Sequence, residues 1–122
     1  LAVCKHERMN IEEFREYCLA KENVTEGFPF GESVLVFKVN SKMFALLSLD
    51  ENPSTANLKC DPEKAIQLRE EFSSIVPGYH MNKQHWNTLV FDGSIPAALV
   101  FELIDDSYNL VSKVKKKRPT KS

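Results

Sequence analysis

The segment Pro77-Gly-Tyr-His-Met-Asn-Lys-Gln-His-Trp86 gathers two imidazoles, a lysine, an asparagine, a tyrosine and the only tryptophan of the chain. Such a cluster suits contact with a ligand or a nucleic acid. Tyr79 and Trp86 offer faces for stacking, Lys83 offers a cation for phosphate, and Asn82 offers an amide that reads a base edge or fixes a turn. The same residues have a plainer reading, in which Tyr79, Met81 and Trp86 are core, Asn82 caps a turn, and His80 and His85 hold loop backbone. Lys38, Lys42 and Lys59 fall on or beside β-forming runs and join Lys83 as cations that a sheet would carry to a phosphate backbone. Lysines on strands also act as solvated edge residues that discourage sheet association, so both readings stand at this point.

Other chemistries find less material. A zinc reading would pair His80 and His85 with Cys60 or Asp61, but the histidine spacing fits neither a helical i, i+4 pair nor a zinc finger, so no metal is expected. Nucleophilic catalysis would need a G-x-S-x-G turn or a recognisable cysteine signature, and neither is written here. With glycine at 27, 31, 78 and 93, no phosphate-cradling glycine loop can be formed. The expectation is a non-enzymatic protein without a cofactor.

The elements that must position these residues follow from periodicity. Asn10 and Glu13 form a capping-box pattern, and Ile11, Phe14, Tyr17 and Cys18 share one helical stripe, which predicts a helix over 10–20. Glycine and proline around Phe28 and Phe30 predict an ordered loop over 22–33. Val34–Val39 and residues 43–49 predict a hairpin turning at Asn40-Ser41, with Val39 opposite Lys42, Phe37 opposite Phe44, and Lys38 beside Met43. Ala56, Leu58 and Cys60 alternate with Asn57 and Lys59 as a third strand. Asp61-Pro62 opens a second helix running to Ser74. Residues 75–81 and 87–92 predict two short strands, and Leu99, Leu103, Ile104, Tyr108, Val111 and Val114 a last amphipathic helix. The order α-β-β-β-α-β-β-α fits an α+β fold: an antiparallel sheet with helices on one face. Apolar residues on both faces of the first hairpin leave its second face for loops or another subunit, so a homodimer is a minor expectation.

Composition limits the function classes. The chain has 122 residues, 43% hydrophobic and 27% charged, which suits one folded domain. No apolar run approaches a membrane span and residues 1–20 lack a signal h-region, so a cytoplasmic protein is expected. The cysteines, Cys4, Cys18 and Cys60, are odd in number and scattered, which predicts free thiols. Residues 1–112 carry 10 Lys/Arg against 17 Asp/Glu, a net charge of −7, while residues 113–122 carry 6 Lys/Arg and no acid. An acidic body argues against a strong whole-surface DNA binder and leaves room for a local basic patch. Residues 1–8 read as an N-terminal extension, 9–114 as the domain, and 115–122 as a basic tail.

Four strings in this chain, Phe28-Pro-Phe-Gly31, Lys42-Met-Phe-Ala45, Asn57-Leu-Lys-Cys-Asp-Pro62 and Pro77-Gly-Tyr-His-Met-Asn-Lys-Gln-His-Trp-Asn87, resemble the MmcQ/YjbR family. The likeness covers residues 9–114. It implies a small cytoplasmic bacterial DNA-binding protein with a double-wing motif, on an α+β fold similar to type III secretion chaperones. No catalytic residue follows from it. Carried across, the family motif falls on Tyr79, His80, Asn82, Lys83, His85 and Trp86, with Lys42 and Lys59 in the other strings, and Lys38 joins them from the hairpin. The alternative is a protein-interaction or chaperone-like module, for which the fold analogy suggests a homodimer, that binds no nucleic acid.

Overall fold

A computed structural model of the chain describes residues 10–50, 53–78 and 85–112. Three helices and six strands follow the order α1 (Ile11–Leu19), β1 (Val24–Gly27), β2 (Val34–Val39), β3 (Lys42–Ser48), β4 (Thr55–Lys59), α2 (Pro62–Glu71), β5 (Ile75–Pro77), β6 (Trp86–Val90) and α3 (Ala97–Ser112). The strands form one antiparallel sheet in the order β1-β2-β3-β4-β6-β5. The α+β class, the antiparallel sheet and the helices on one face are as the sequence predicts. Among the described residues there are six strands rather than the expected five.

The extra strand, β1, lies inside the stretch read as loop. Val24 is the only apolar residue of the four that alternation could register, and β1 is held on one side only, through its ladder with β2. Asn23 enters the strand with φ 65°, a left-handed conformation that asparagine tolerates. Two other boundaries shift. The second helix ends at Glu71 because Phe72 is extended, and β5 stops at Pro77, whose missing N–H cannot continue a ladder.

The helix starts are those the sequence encodes. The Asn10 side chain accepts from the Glu12 N–H at 2.6 Å, and Asp61 accepts from the Glu63 and Lys64 N–H groups at 3.2 and 3.3 Å ahead of Pro62. Asn40 and Ser41 both take positive φ, 52° and 71°, as a two-residue I′ turn requires. Val39 pairs with Lys42 and Lys38 with Met43, but Phe37 pairs with Ala45 and not with Phe44. Phe44 is the extra residue of a β-bulge, so Phe44 and Ala45 both turn toward the helices and bury completely. A one-residue slip without the bulge would have sent Leu47 to the far face.

The core lies between the sheet and the helices. Phe14 of α1 meets Phe37 and Phe91 at ring-centroid distances of 6.2 and 5.8 Å, and Phe44 meets Tyr108 of α3 edge-on at 5.5 Å. Leu35, Leu47, Leu58, Ile75 and Leu89 complete the sheet side, against Cys18, Leu68, Val100, Leu103 and Ile104 from the helices. Burial pushes the Cys18 thiol up to about 12 and the Cys60 thiol up to about 11, so both are protonated packing groups near neutral pH. Among the described residues no helix is long and apolar enough to cross a membrane.

At the foot of the sheet, the Asp92 carboxylate accepts from the Ser74 hydroxyl at 2.6 Å, the Ser94 hydroxyl at 2.7 Å and the Ser94 N–H at 3.0 Å. These bonds, that from Ser74 foremost, hold its pKa down at about 2. The unfolded group titrates near ~3.9, so the network stabilises the fold above that pH and the contribution is lost as pH falls through the folded value. Ser74→Ala is therefore expected to cost stability at neutral pH and to cost progressively less below pH ~4. Thermal unfolding of both proteins across the acid range checks this, and a cost independent of pH would contradict it.

Candidate functional site

Strand alternation divides the sheet into a helix side and an opposite side, the open side, on which no helix packs among the described residues. The register places Thr25, Lys38, Met43, Lys59 and Trp86 on the open side toward one end of the sheet. The next row across it is Gly27, Val36, Leu46, Asn57, Thr88 and Val76. Val36, Leu46 and Trp86 form a second, smaller apolar cluster with Val34 and Met43 against it. For Trp86 on β6 to join Leu46 on β3, its indole must lie across β4 instead of standing off the sheet. Only 8% of Trp86 is exposed. It anchors the open face and offers little ring for a base to stack on, which corrects the stacking role expected for it.

The close approach behind this anchor explains a neighbouring glycine. A Cβ on Gly78 would sit 2.7 Å from the Trp86 Cβ and 2.9 Å from its carbonyl oxygen, and the Gly78 N–H donates to that same oxygen at 2.8 Å. On the helix side, Asn87 is 2% exposed, its Nδ2 donating weakly to the Ala65 carbonyl at 3.5 Å and its Oδ1 left without a partner. It lies on the face opposite Lys38 and Lys59.

Of the nine residues singled out in the sequence, the sheet brings together three: Lys38, Lys59 and Trp86. Lys42 pairs with Val39, a core residue, and so stands on the helix side of the hairpin tip. The Cys60 N–H donates to the His85 carbonyl at 2.7 Å, continuing the β4–β6 register by one pair and setting His85 opposite Cys60. Consecutive His85 and Trp86 therefore leave the sheet in different directions. Tyr79, His80, Asn82 and Lys83 lie outside the described residues, as do the N-terminal extension and the basic tail.

Ser107 on α3 shapes this end of the sheet and carried no signal in the sequence. Its side chain is fully buried, donating to the Phe44 carbonyl at 2.5 Å while accepting from the Lys59 N–H at 2.9 Å. These are the two groups that the bulge keeps from a direct β3–β4 bond. The hydroxyl stands in for the missing rung, and Lys59 keeps its place on the open side.

Charge is segregated between the two layers. Glu12, Glu13, Glu16, Glu63, Glu70, Glu71, Glu102, Asp105 and Asp106 all lie on helices. The one acid on a strand, Glu26, pairs with core-facing Phe37 and is held on the helix side by Arg15 through bonds of 2.8 and 2.7 Å. That partner holds its carboxyl below the usual range. Lys21 is paired with Asp105, and Lys64 bridges Glu102 at 2.9 Å and Asp106 at 2.5 Å, which raises its pKa. Among the described residues Lys38, Lys42 and Lys59 have no carboxylate partner. The open side carries two cations and no acid at any strand position. No group of three or more His, Cys, Asp or Glu side chains is placed to hold a metal among the described residues.

These features define an α+β protein whose six-stranded antiparallel sheet is covered by acidic helices on one side and carries lysines, and no helix among the described residues, on the other. The chain belongs to the YjbR family, whose model matches residues 19–110, from the end of α1 to near the end of α3. It is 35% identical to YjbR of Escherichia coli K12 over 113 residues, covering 89% of this chain and 96% of that protein. It is also 44% identical over 84 residues to YbdF of E. coli O157:H7, with 69% of each chain covered. Among solved structures, the crystal structure of a Deinococcus radiodurans protein superposes with a TM-score of 0.84 at 41% identity, over 88% of this chain and 82% of that one. A crystal structure from Pseudomonas syringae gives a TM-score of 0.74 at 31% identity, over 84% and 99% of the two chains.

Proposed function

We propose that this protein is a non-catalytic DNA-binding module that lays the open side of its sheet against the phosphate backbone. The observation that carries the reading is the pairing pattern of the cations. Arg15, Lys21 and Lys64, in and beside the helices, are paired with acids, while Arg69 of α2 donates to the Ala65 carbonyl. Lys38 and Lys59 have no carboxylate partner among the described residues, as Lys42 at the hairpin tip has none, and they stand on the side of the sheet with no acid at any strand position. An acidic protein can bind a polyanion when its negative charge is turned away, because separated charges are screened beyond about 8 Å at physiological salt. Lys38 and Lys59 contact phosphates in this reading, and Trp86 fixes the surface between them. Base edges are not read by these contacts, so sequence preference is weak.

The residues outside the described segments extend the proposal without carrying it: Lys83, His80 and Asn82 sit in sequence next to the face, and the basic tail adds non-specific attraction. A second reading, a surface for a protein partner, draws on Phe28 and Phe30, which are 49% and 64% exposed beside the edge strand β1. The test is fluorescence anisotropy of a labelled duplex titrated with the full chain between about 50 and 200 mM salt, the range over which phosphate-dominated binding weakens steeply. Binding that weakens with salt supports the module; no binding at the low end contradicts it and leaves the protein-partner reading.

A further inference from the structure

A cavity of about 390 Å3 opens on the unhelical side of the sheet near its β1 end, between Thr25, Gly27, Phe28, Pro29, Val36 and Lys38. Its size falls within the ordinary range for small-molecule sites. Three features give it chemical character. Phe28 and Pro29 supply apolar walls, and buried Val36 closes the floor. The backbone of Gly27 leaves it open, since a Cβ built there meets nothing within 4 Å. Thr25 and Lys38 are direct register partners on the same face, which sets a hydroxyl beside an ammonium that has no carboxylate partner among the described residues.

The acid in the lining does not cancel that cation. Glu26 contributes to the lining, but its carboxylate is turned to the helix side and held there by Arg15 in two bonds. What remains at the rim is a single positive charge with one neutral donor. That is complementary to one carboxylate, which accepts from both groups, and is half of what a phosphate dianion would need.

We infer that this cavity is a binding site for a small apolar monocarboxylate, its ring or hydrocarbon body against Phe28 and Pro29 and its carboxylate on Lys38 and Thr25. The site stands apart from the DNA reading, although Lys38 belongs to both. A ligand seated here would withdraw Lys38 from phosphate and so compete with DNA.

The test is a two-dimensional amide NMR titration of the full chain with indole-3-acetate, and with indole-3-acetamide as the uncharged control. Shifts confined to the amides of Thr25, Gly27, Val36 and Lys38, saturating with a Kd of about 1 mM, are expected for a ligand of this size. Lys38→Gln, and the change from acid to amide, should each weaken binding about tenfold. Gly27→Leu should abolish it by filling the space. Gly27 meets no neighbour and needs no left-handed backbone, so this variant keeps the fold. The proposal is overturned if no shifts occur by about ten times that concentration, if they map elsewhere, if the amide binds as well as the acid, or if Gly27→Leu still binds.

Discussion

Ser107→Ala is expected to lower the unfolding free energy by about 3 kcal/mol, because it strands two buried backbone groups at once. The Phe44 carbonyl loses its donor and the Lys59 N–H its acceptor, and the bulge that separates them prevents the direct rung that would compensate. Each unsatisfied group costs about 1–3 kcal/mol, and the small void left by the hydroxyl admits water poorly among Phe44, Tyr108 and Leu58. In a domain of this size the melting temperature should fall by roughly 10 °C or more. Ser107→Thr keeps the hydroxyl and should recover most of the loss. Urea unfolding of the two variants beside the exposed control Asn109→Ala measures this. A Ser107→Ala midpoint equal to that of the control would show that the two strands can close the gap without the hydroxyl.

Gly78→Ala is expected to be the next most damaging single change. The added methyl would overlap the Trp86 Cβ and backbone, where Gly78 is already hydrogen-bonded to the Trp86 carbonyl and β6 is held between β4 and β5. Overpacking of this kind costs about 1–3 kcal/mol and is relieved by backbone shifts. Since Trp86 is the only tryptophan, its fluorescence reports the shift directly. The wild type should emit at the short wavelength of a buried indole, and Gly78→Ala should move emission to the red with a lower melting temperature. An unchanged spectrum with unchanged stability would mean that the β5–β6 pair accommodates a side chain at position 78.

How much of this was legible from residue types depends on whether a feature is local. Asn40-Ser41 states its own turn, and from it the facing of Lys38 and Met43 follows. Asp61-Pro62 states a helix start in the same way. The Phe44 bulge was not legible, because Phe44 and Ala45 are both apolar and either suits the core. What selects the bulge is Ser107, which is brought to that point only by the packing of α3. β1 was hidden because an edge strand beside Gly27 and Pro29 needs few apolar residues.

For the site, the sequence groups residues 79–86 by proximity along the chain, while the sheet groups residues by face. Lys38, Lys59 and Trp86, drawn from three strands, meet on one side, and Lys42 and His85, equally prominent in the sequence, do not. The charge balance misleads for a related reason. Composition adds the helix acids to the strand lysines and returns an acidic body, but folding places Lys38 and Lys59 on the side of the sheet opposite those acids.

If Lys38 and Lys59 bind DNA as proposed, salt slopes for charge-neutralised variants of the full chain will show it. Lys38→Gln/Lys59→Gln removes the face, a Lys115→Gln/Lys116→Gln/Lys117→Gln variant weakens the tail, and Lys64→Gln is the helix-side control. Two lost phosphate contacts should reduce the slope of log K against log salt by about 1.8 and lower affinity by at least about tenfold at 50 mM salt. The helix-side control should match the wild type, and the tail variant should weaken without losing the contribution of the face. If the face variant binds as the wild type does and only the tail variant fails, the sheet is not the DNA-binding surface.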